Sequence, residues 1–474
     1  MNTRRTLRLL ALIPWLALCA AAASQGSRPP NFVIMLADDL GWADLGVYGA
    51  DLHETPQLDR FAASAMRFTN AYAASPVCTP TRASIMTGKW PARLHMTIWR
   101  EATLQAPPKR KLTHAAARDA LPHDEVTIAE VLQQAGYLTA HVGKWHLGTA
   151  LHYPETQGFD VHIGGSLWGA PQSFFYPYRG SKHFGGEPRY VPGLHWGQPG
   201  EYLTDRLTDE ALAIIDRAGR GPFFLNLCYY TVHTPIEGKP DLVRRFEARL
   251  RPGMNHQNAT YAAMAASLDE NAGRVLAKLE ERGLAGNTVV IFASDNGGFI
   301  NQFDGQTVTN NHPLRSGKGA LYEGGVRVPF IVRWPGVTKP GTVSDEPVCT
   351  TDLYPTMLDM AGLSGDAAHR PDGVSIAPLL RGSADRLDRE ALYFHYPHYY
   401  QTTTPVSSIR AGDWKLLEYY EDNHVELYNL ADDPGEATDL ASTNPAKAEE
   451  LRERLHQWLR DVDAQLPRPN PEAR

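Results

Sequence analysis

The chain has 474 residues, 43% hydrophobic and 21% charged, with 53 acidic against 46 basic side chains and a formal charge of −7. That composition belongs to an ordinary globular protein with a large core; it excludes a disordered chain and gives no cationic footprint for nucleic acid. An acidic total still permits a local cationic pocket for small anions.

Taken in chain order, Arg4, Arg5 and Arg8 precede an apolar run ending in Ala20 to Ala23, which predicts a secretory signal peptide over residues 1–23. Its removal takes away three arginines and no acid, moves the formal charge from −7 to −10, and places the mature chain in the periplasm or outside the cell. The run is short, contains Pro14 and is followed by polar Ser24 to Ser27, against a membrane anchor, and no later stretch is expected to span a bilayer. With Cys19 in the leader, Cys78, Cys228 and Cys349 remain, an odd number that argues against a disulfide framework.

Four apolar runs then end abruptly in polar residues. "NFVIMLADD" ends at Asp38-Asp39, "YLTAHVGKWH" at Lys144 and His146, "PFFLNLCYYTVH" at His233, and "NTVVIFASDNGG" at Asp295-Asn296. Runs without a polar face suit strands covered on both sides. Helical spacing predicts helices over 124–135, 205–218 and 261–282, the last with Tyr261, Met264, Leu268, Val275 and Leu279 on one face. The alternation predicts an α/β domain over 30–385, a large mainly parallel sheet sandwiched between helices. Short strands and a last helix with Leu451, Leu455, Trp458 and Leu459 predict a small C-terminal α+β subdomain over 390–474, bordered by "RGSADRLDRE". The Gly-, Pro- and aromatic-rich stretch 152–202 reads as loop near a site mouth.

Ligands of open α/β sheets bind beyond the carboxyl ends of the strands, so these polar tails, up to more than 250 positions apart, are expected to share one crevice. "PVCTPTRASIMTG" (76–88) adds a short helix, with Thr79 as expected N-cap, Pro80 at the first helical position and Gly88 at the end. Cys78 then sits where backbone amides and the helix dipole favour negative charge, and Arg82 lies one turn on. The residues alone leave open a small packed side chain or a thiolate nucleophile.

CxPxR followed by "ASIMTG" closely resembles the first signature of the type I, formylglycine-dependent sulfatases of the alkaline-phosphatase-like superfamily, and "GYLTAHVGKWHLG" (136–148) resembles the second. "ADDLGWADLGVYG", "DNGG", "GKGALYEGGVRVPFIVRWPG" and "ELYNLADDPGE" fit the same family in the same order, so the resemblance spans nearly the whole mature chain. Thr81 stands where serine is usual and Met86 where leucine is usual; the CxPxR core is intact.

The resemblance implies that a maturation enzyme oxidises Cys78 to formylglycine (3-oxoalanine), whose hydrate attacks sulfur and gives a sulfo-enzyme intermediate. It implies a metal site of Asp38, Asp39, Asp295, Asn296 and residue 78, whose hard oxygens suit Ca²⁺ better than Mg²⁺. Arg82 and Lys144 would support the hydrate and sulfate oxygens, and His146 would take the proton that lets the sulfated hemiacetal break down. His233 and Lys318 would clamp the sulfate on its leaving-group side, one of them protonating the departing alkoxide.

The expected substrate is a sulfated carbohydrate. The aromatic stretches "GGSLWGAPQSFFYPYRG" and "YFHYPHYYQ" would line the sugar site, with Arg179, Arg315, His395 and His398 binding hydroxyls or further sulfates. Two alternatives are a phosphodiesterase or phosphonate monoester hydrolase on the same formylglycine site, and a non-catalytic glycan-binding protein on the same fold. Retention of Cys78, Arg82, Lys144, His146, His233 and Lys318 argues against the second.

Overall fold

The computed structural model describes residues 28–104, 109–180, 183–187, 189–219 and 221–473; the leader expected over 1–23 lies outside them. Eight strands form the main sheet: β1 (Asn31–Ala37), β2 (Met66–Phe68), β3 (Leu138–Gly143), β4 (Val161–Ile163), β5 (Phe223–Cys228), β6 (Thr288–Ser294), β7 (Phe330–Arg333) and β8 (Thr342–Ser344). Their order is β8-β2-β7-β6-β1-β5-β3-β4, and β7 alone runs against the others.

The apolar runs are central strands because both faces are covered: every residue of β1, β5 and β6 is buried. Alternate side chains of β1 enter opposite cores, with Val33, Met35 and Ala37 on one face and Phe32, Ile34 and Leu36 on the other. The helices that cover them are α1 (Cys78–Thr87), α2 (Ile128–Gln134), α3 (Leu203–Arg217) and α4 (Ala259–Glu281). α3 and α4 fill the first face, where Tyr261, Met264, Leu268, Val275 and Leu279 are all buried; α1 and α2 supply Ile85, Met86, Ile128 and Leu132 to the second.

α2 starts four residues later than its spacing suggests. Thr127 and Glu130 form a capping box, Glu130 N donating to Thr127 Oγ1 at 3.1 Å and Thr127 N to Glu130 Oε2 at 2.7 Å, and this fixes the first turn there.

Register positions the site. Ala37 pairs with Ser294, while Leu36 and Gly143 both pair with Cys228, so β1, β3, β5 and β6 end in line. Asp38, Lys144, Tyr229 and Asp295 therefore leave the sheet along one edge.

A second, antiparallel sheet follows: β9 (Leu392–Tyr396), β10 (Val406–Ala411), β11 (Trp414–Tyr419) and β12 (Val425–Asn429), with α5 (Pro445–Asp461) packing Leu451, Leu455, Trp458 and Leu459 on it. Its core is shared with Tyr72, Val77, Ala320 and Leu321, so the second sheet buttresses the residue that precedes Cys78. Cys78, Cys228 and Cys349 are free and buried. Among the described residues, no helix is long and apolar enough to cross a membrane.

A buried ion cluster ties the two sheets. Lys415 Nζ of β11 lies 2.8 Å from Glu323 Oε1 and 2.9 Å from Glu436 Oε1, with all three side chains inaccessible to solvent. Removing the ammonium alone leaves two buried carboxylates facing one another. Lys415→Met is expected to lower the unfolding free energy by about 3–5 kcal/mol, read from a urea midpoint against the parent protein.

Candidate active site

The ends of β1 and β6 carry the acidic pairs. Asp39 takes a left-handed backbone (φ 59°), a conformation that aspartate tolerates better than most residues, and this turns the chain at once after Asp38. Asp39 N then donates to Asp295 Oδ1 at 3.2 Å, and Asn296 Nδ2 donates to Asp39 Oδ1 at 2.8 Å. The three carboxyls and the amide are buried to within 1% exposure, and Asn296 Oδ1 has no hydrogen-bond partner.

Buried carboxylates need cations, and one helix and two loops supply three. Arg82 donates Nε to Asp295 Oδ2 at 2.9 Å, places Nη2 2.7 Å from the same oxygen and donates Nη1 to the Lys144 carbonyl at 2.8 Å. Lys144 Nζ donates to both Asp38 oxygens at 2.8 Å, and Lys318 Nζ lies 2.7 and 2.8 Å from the two oxygens of Asp39. Burial opposes ionisation of Asp295, yet Arg82 and Lys144 hold its carboxyl below the usual range. At Asp38 burial wins over Lys144 and pushes the carboxyl well up. Burial works against charge on Lys144 and Lys318 too, but Asp38 and Asp39 respectively keep both ammoniums above the ordinary lysine value.

Cys78 sits among these groups, its Sγ 3.7 Å from Asp38 Oδ1 and 3.6 Å from Lys318 Nζ. It is itself the first residue of α1, which begins one position earlier than the expected cap at Thr79. The Thr79 hydroxyl turns instead to the His146 carbonyl (2.9 Å), tying α1 to the loop after β3. Gly88, with φ 71°, ends the helix as expected.

Lys144 and His146 both reach the site and Trp145 packs in the core, but the segment is not extended: His146 has φ 61°. Burial lowers the His146 imidazole. His233 Nε2 lies 3.5 Å from Asp39 Oδ2 while its Nδ1 is 2.9 Å from the Thr234 carbonyl; burial, then Lys318 and Lys144, depress its imidazole strongly.

Cys78, His146, His233 and Lys318 open onto a cavity of about 240 Å³, walled also by Trp99, Glu101, Phe184, Arg189 and Tyr400. Trp99 and Tyr400 meet edge to face at 5.9 Å, and the Arg189 guanidinium lies 3.7 Å from the Phe184 ring centre and bonds Glu187. Trp99, Glu101 and Arg189 carry no signature in the sequence; Tyr400 lies within an aromatic stretch expected at the sugar site.

Other expected contacts lie elsewhere. His395 Nδ1 bonds Ser407 Oγ at 2.6 Å and His398 Nε2 bonds Thr97 Oγ1 at 2.7 Å, both deep in the second sheet's surroundings. Arg315, exposed, stacks on Tyr322 and donates to the Tyr428 hydroxyl at 2.8 Å, and Arg179 is exposed and does not line the cavity. Each is absorbed by a local partner or by solvent.

Ligand atoms of Asp38, Asp39, Cys78 and His233 lie within 4.8 Å of one another, a group that could hold a metal ion, and the neighbouring Asn296 keeps its buried Oδ1 without a hydrogen-bond partner.

A family model described as Sulfatase matches residues 30–363. The chain belongs to the sulfatase family. A model for the C-terminal part of N-sulphoglucosamine sulphohydrolase also matches residues 316–465 of this sulfatase. It is similar to a "Sulfatase" of Formosa agariphila (33% identity, covering 95% of this chain and 92% of the other) and to human N-acetylgalactosamine-6-sulfatase (31%, covering 90% and 85%). Among solved structures, Ps i-CgsB in complex with k-i-k-neocarrahexaose superposes with a TM-score of 0.77 at 29% identity, covering 91% of this chain and 93% of that one. The mixed sheet with its small C-terminal sheet is thus the sulfatase fold, and the enzyme is a sulfuric ester hydrolase.

Arg82→Lys tests the charge balance of this sulfatase. One ammonium cannot serve both the Asp295 carboxylate and the Lys144 carbonyl, so the variant should lose about 3–5 kcal/mol of stability, measured by denaturant titration.

Proposed function

We propose that this chain is an exported sulfatase that hydrolyses the sulfate ester of a sulfated carbohydrate, through formylglycine made from Cys78 and with the assistance of Ca²⁺. The observation that carries the reading is the meeting of residue 78 with three carboxyl groups, Asn296 and three cations, in a cluster that reaches a cavity through Cys78 and Lys318. Export is supported by the leader at 1–23, and a carbohydrate by the aromatic wall of Trp99, Phe184 and Tyr400.

The cation would be held by Asp38, Asp39, Asp295, Asn296 and residue 78, and would offset charge on the transferred group's oxygens. The formylglycine hydrate supplies the nucleophilic oxygen. The chain's own residues do the rest. Arg82, fixed by Asp295 and the Lys144 carbonyl, and Lys144 hold positive charge against the hydrate and sulfate oxygens. His146, neutral because burial lowers its imidazole, is ready to take the hydroxyl proton whose removal expels sulfate.

His233 and Lys318 face the leaving-group side of the sulfate. His233 Nδ1 lies 2.9 Å from the Thr234 carbonyl and 3.1 Å from the Thr234 hydroxyl, which together hold the ring in place. One of the two, His233 or Lys318, protonates the departing alkoxide, and Lys318 is an ammonium with protons to spare.

Protein made alongside a formylglycine-generating enzyme should carry at residue 78 the mass of the aldehyde, which is lighter than the thiol, and should turn over an aryl sulfate. Cys78→Ala should lower kcat by at least about 10³-fold. An active sample that retains the thiol, or faster turnover of an aryl phosphodiester than of the aryl sulfate, contradicts the reading.

A further inference from the structure

The His146 ring is flanked by Gly169 and Glu101, which no signature contains. Its backbone is pinned: the amide donates to the Ser166 carbonyl at 3.0 Å, and the carbonyl accepts from Thr79 Oγ1. Gly169 lies against the ring, where an added Cβ would fall 2.3 Å from Cε1 and under 3 Å from both ring nitrogens. Any side chain there would push the imidazole out of place.

Glu101, in the short helix Arg100–Thr103, sets its Oε2 3.5 Å from His146 Nε2. Both atoms are buried and neither has a hydrogen-bond partner by strict geometry, so each is the nearest recourse of the other. An ionised carboxylate can only accept, so a bare Nε2 there would set two lone pairs face to face away from water. Burial opposes ionisation of Glu101, yet His146, with Arg189 further off, keeps its carboxyl below the usual value.

We propose that Glu101 is a positioning residue for His146: its carboxylate accepts the Nε2–H, fixes that tautomer and ring orientation, and leaves Nδ1 as the basic nitrogen. The inference rests on the role of His146 in the proposed function. When Nδ1 takes a proton, the ring becomes a cation facing Lys144 and Arg82, both of which disfavour it; Glu101 is the anion on the other side. The carboxylate thus offsets the charge His146 acquires without touching the substrate.

The test uses matured enzyme, a small aryl sulfate and a sulfated monosaccharide, with Glu101→Ala, Glu101→Gln and ¹⁵N-imidazole spectra of His146. Glu101→Ala should lower kcat on both substrates by about 10- to 100-fold with KM within about 2-fold, and isosteric Glu101→Gln should lose less, since an amide oxygen still accepts. The parent spectrum should show the proton on Nε2, and Glu101→Ala should lose that preference. Kinetics unchanged within about 2-fold in Glu101→Ala, or a rise in KM confined to the sugar sulfate, would overturn the proposal by making Glu101 inert or a sugar contact. A parent spectrum with the proton on Nδ1 would overturn it as well. A parent enzyme that carries the aldehyde but hydrolyses no sulfate ester would count against the proposed function, while the tautomer would still decide the role of Glu101.

Discussion

Three carboxyl groups and an amide oxygen lie at strand ends with no access to bulk water, and that cluster constrains everything around it. Charge in such a place persists only if opposite charge is brought to it. Arg82 from a helix, Lys144 from the loop after β3 and Lys318 from a glycine-rich loop arrive from three distant parts of the sequence to do so. The cations that let the acids be buried are the same ones assigned to the sulfate in the proposed function, so that proposal and the stability of the cluster rest on one electrostatic arrangement.

The sheet is what makes that arrangement reproducible. With β1, β5 and β6 packed on both faces, a slip of one residue would exchange the side chains of the two cores, so the strand tips cannot drift relative to one another. Tight backbone approaches serve the same end: a Cβ at Gly297, just after the acidic pair, would lie 1.9 Å from the Gly324 carbonyl oxygen. The C-terminal sheet adds a second layer of support, since its core includes Val77 and Leu321, which flank the cysteine helix and the Lys318 loop.

Much of this was legible in the sequence, because it depends on short-range patterns. Apolar runs ending in polar residues marked β1, β3, β5 and β6 and the crevice beyond them, and the signature residues Cys78, Arg82, Lys144, His146, His233 and Lys318 do meet there. What failed depended on tertiary partners. Thr79 looked like a cap, but the His146 carbonyl competes for its hydroxyl. His395 and His398 looked like sugar contacts, but Ser407 and Thr97 engage them inside the fold, and Arg315 pairs with Tyr322 and Tyr428 at the surface. Glu101 sits in a four-residue helix and Arg189 in a loop, both too short or irregular to show a periodicity, and only the folded chain brings them to the cavity.

The central claim is that Asp38, Asp39, Asp295 and Asn296 form one cation site at the strand tips, with Lys144 and Lys318 as its neighbouring counter-charges. A crystal structure of the matured protein grown with Ca²⁺, with anomalous data to locate the ion, tests it most directly. The account predicts a single ion bound by oxygens of those four residues beside residue 78. An ion found elsewhere, or both lysines still closed on Asp38 and Asp39 with no ion between the acids at saturating Ca²⁺, would contradict it.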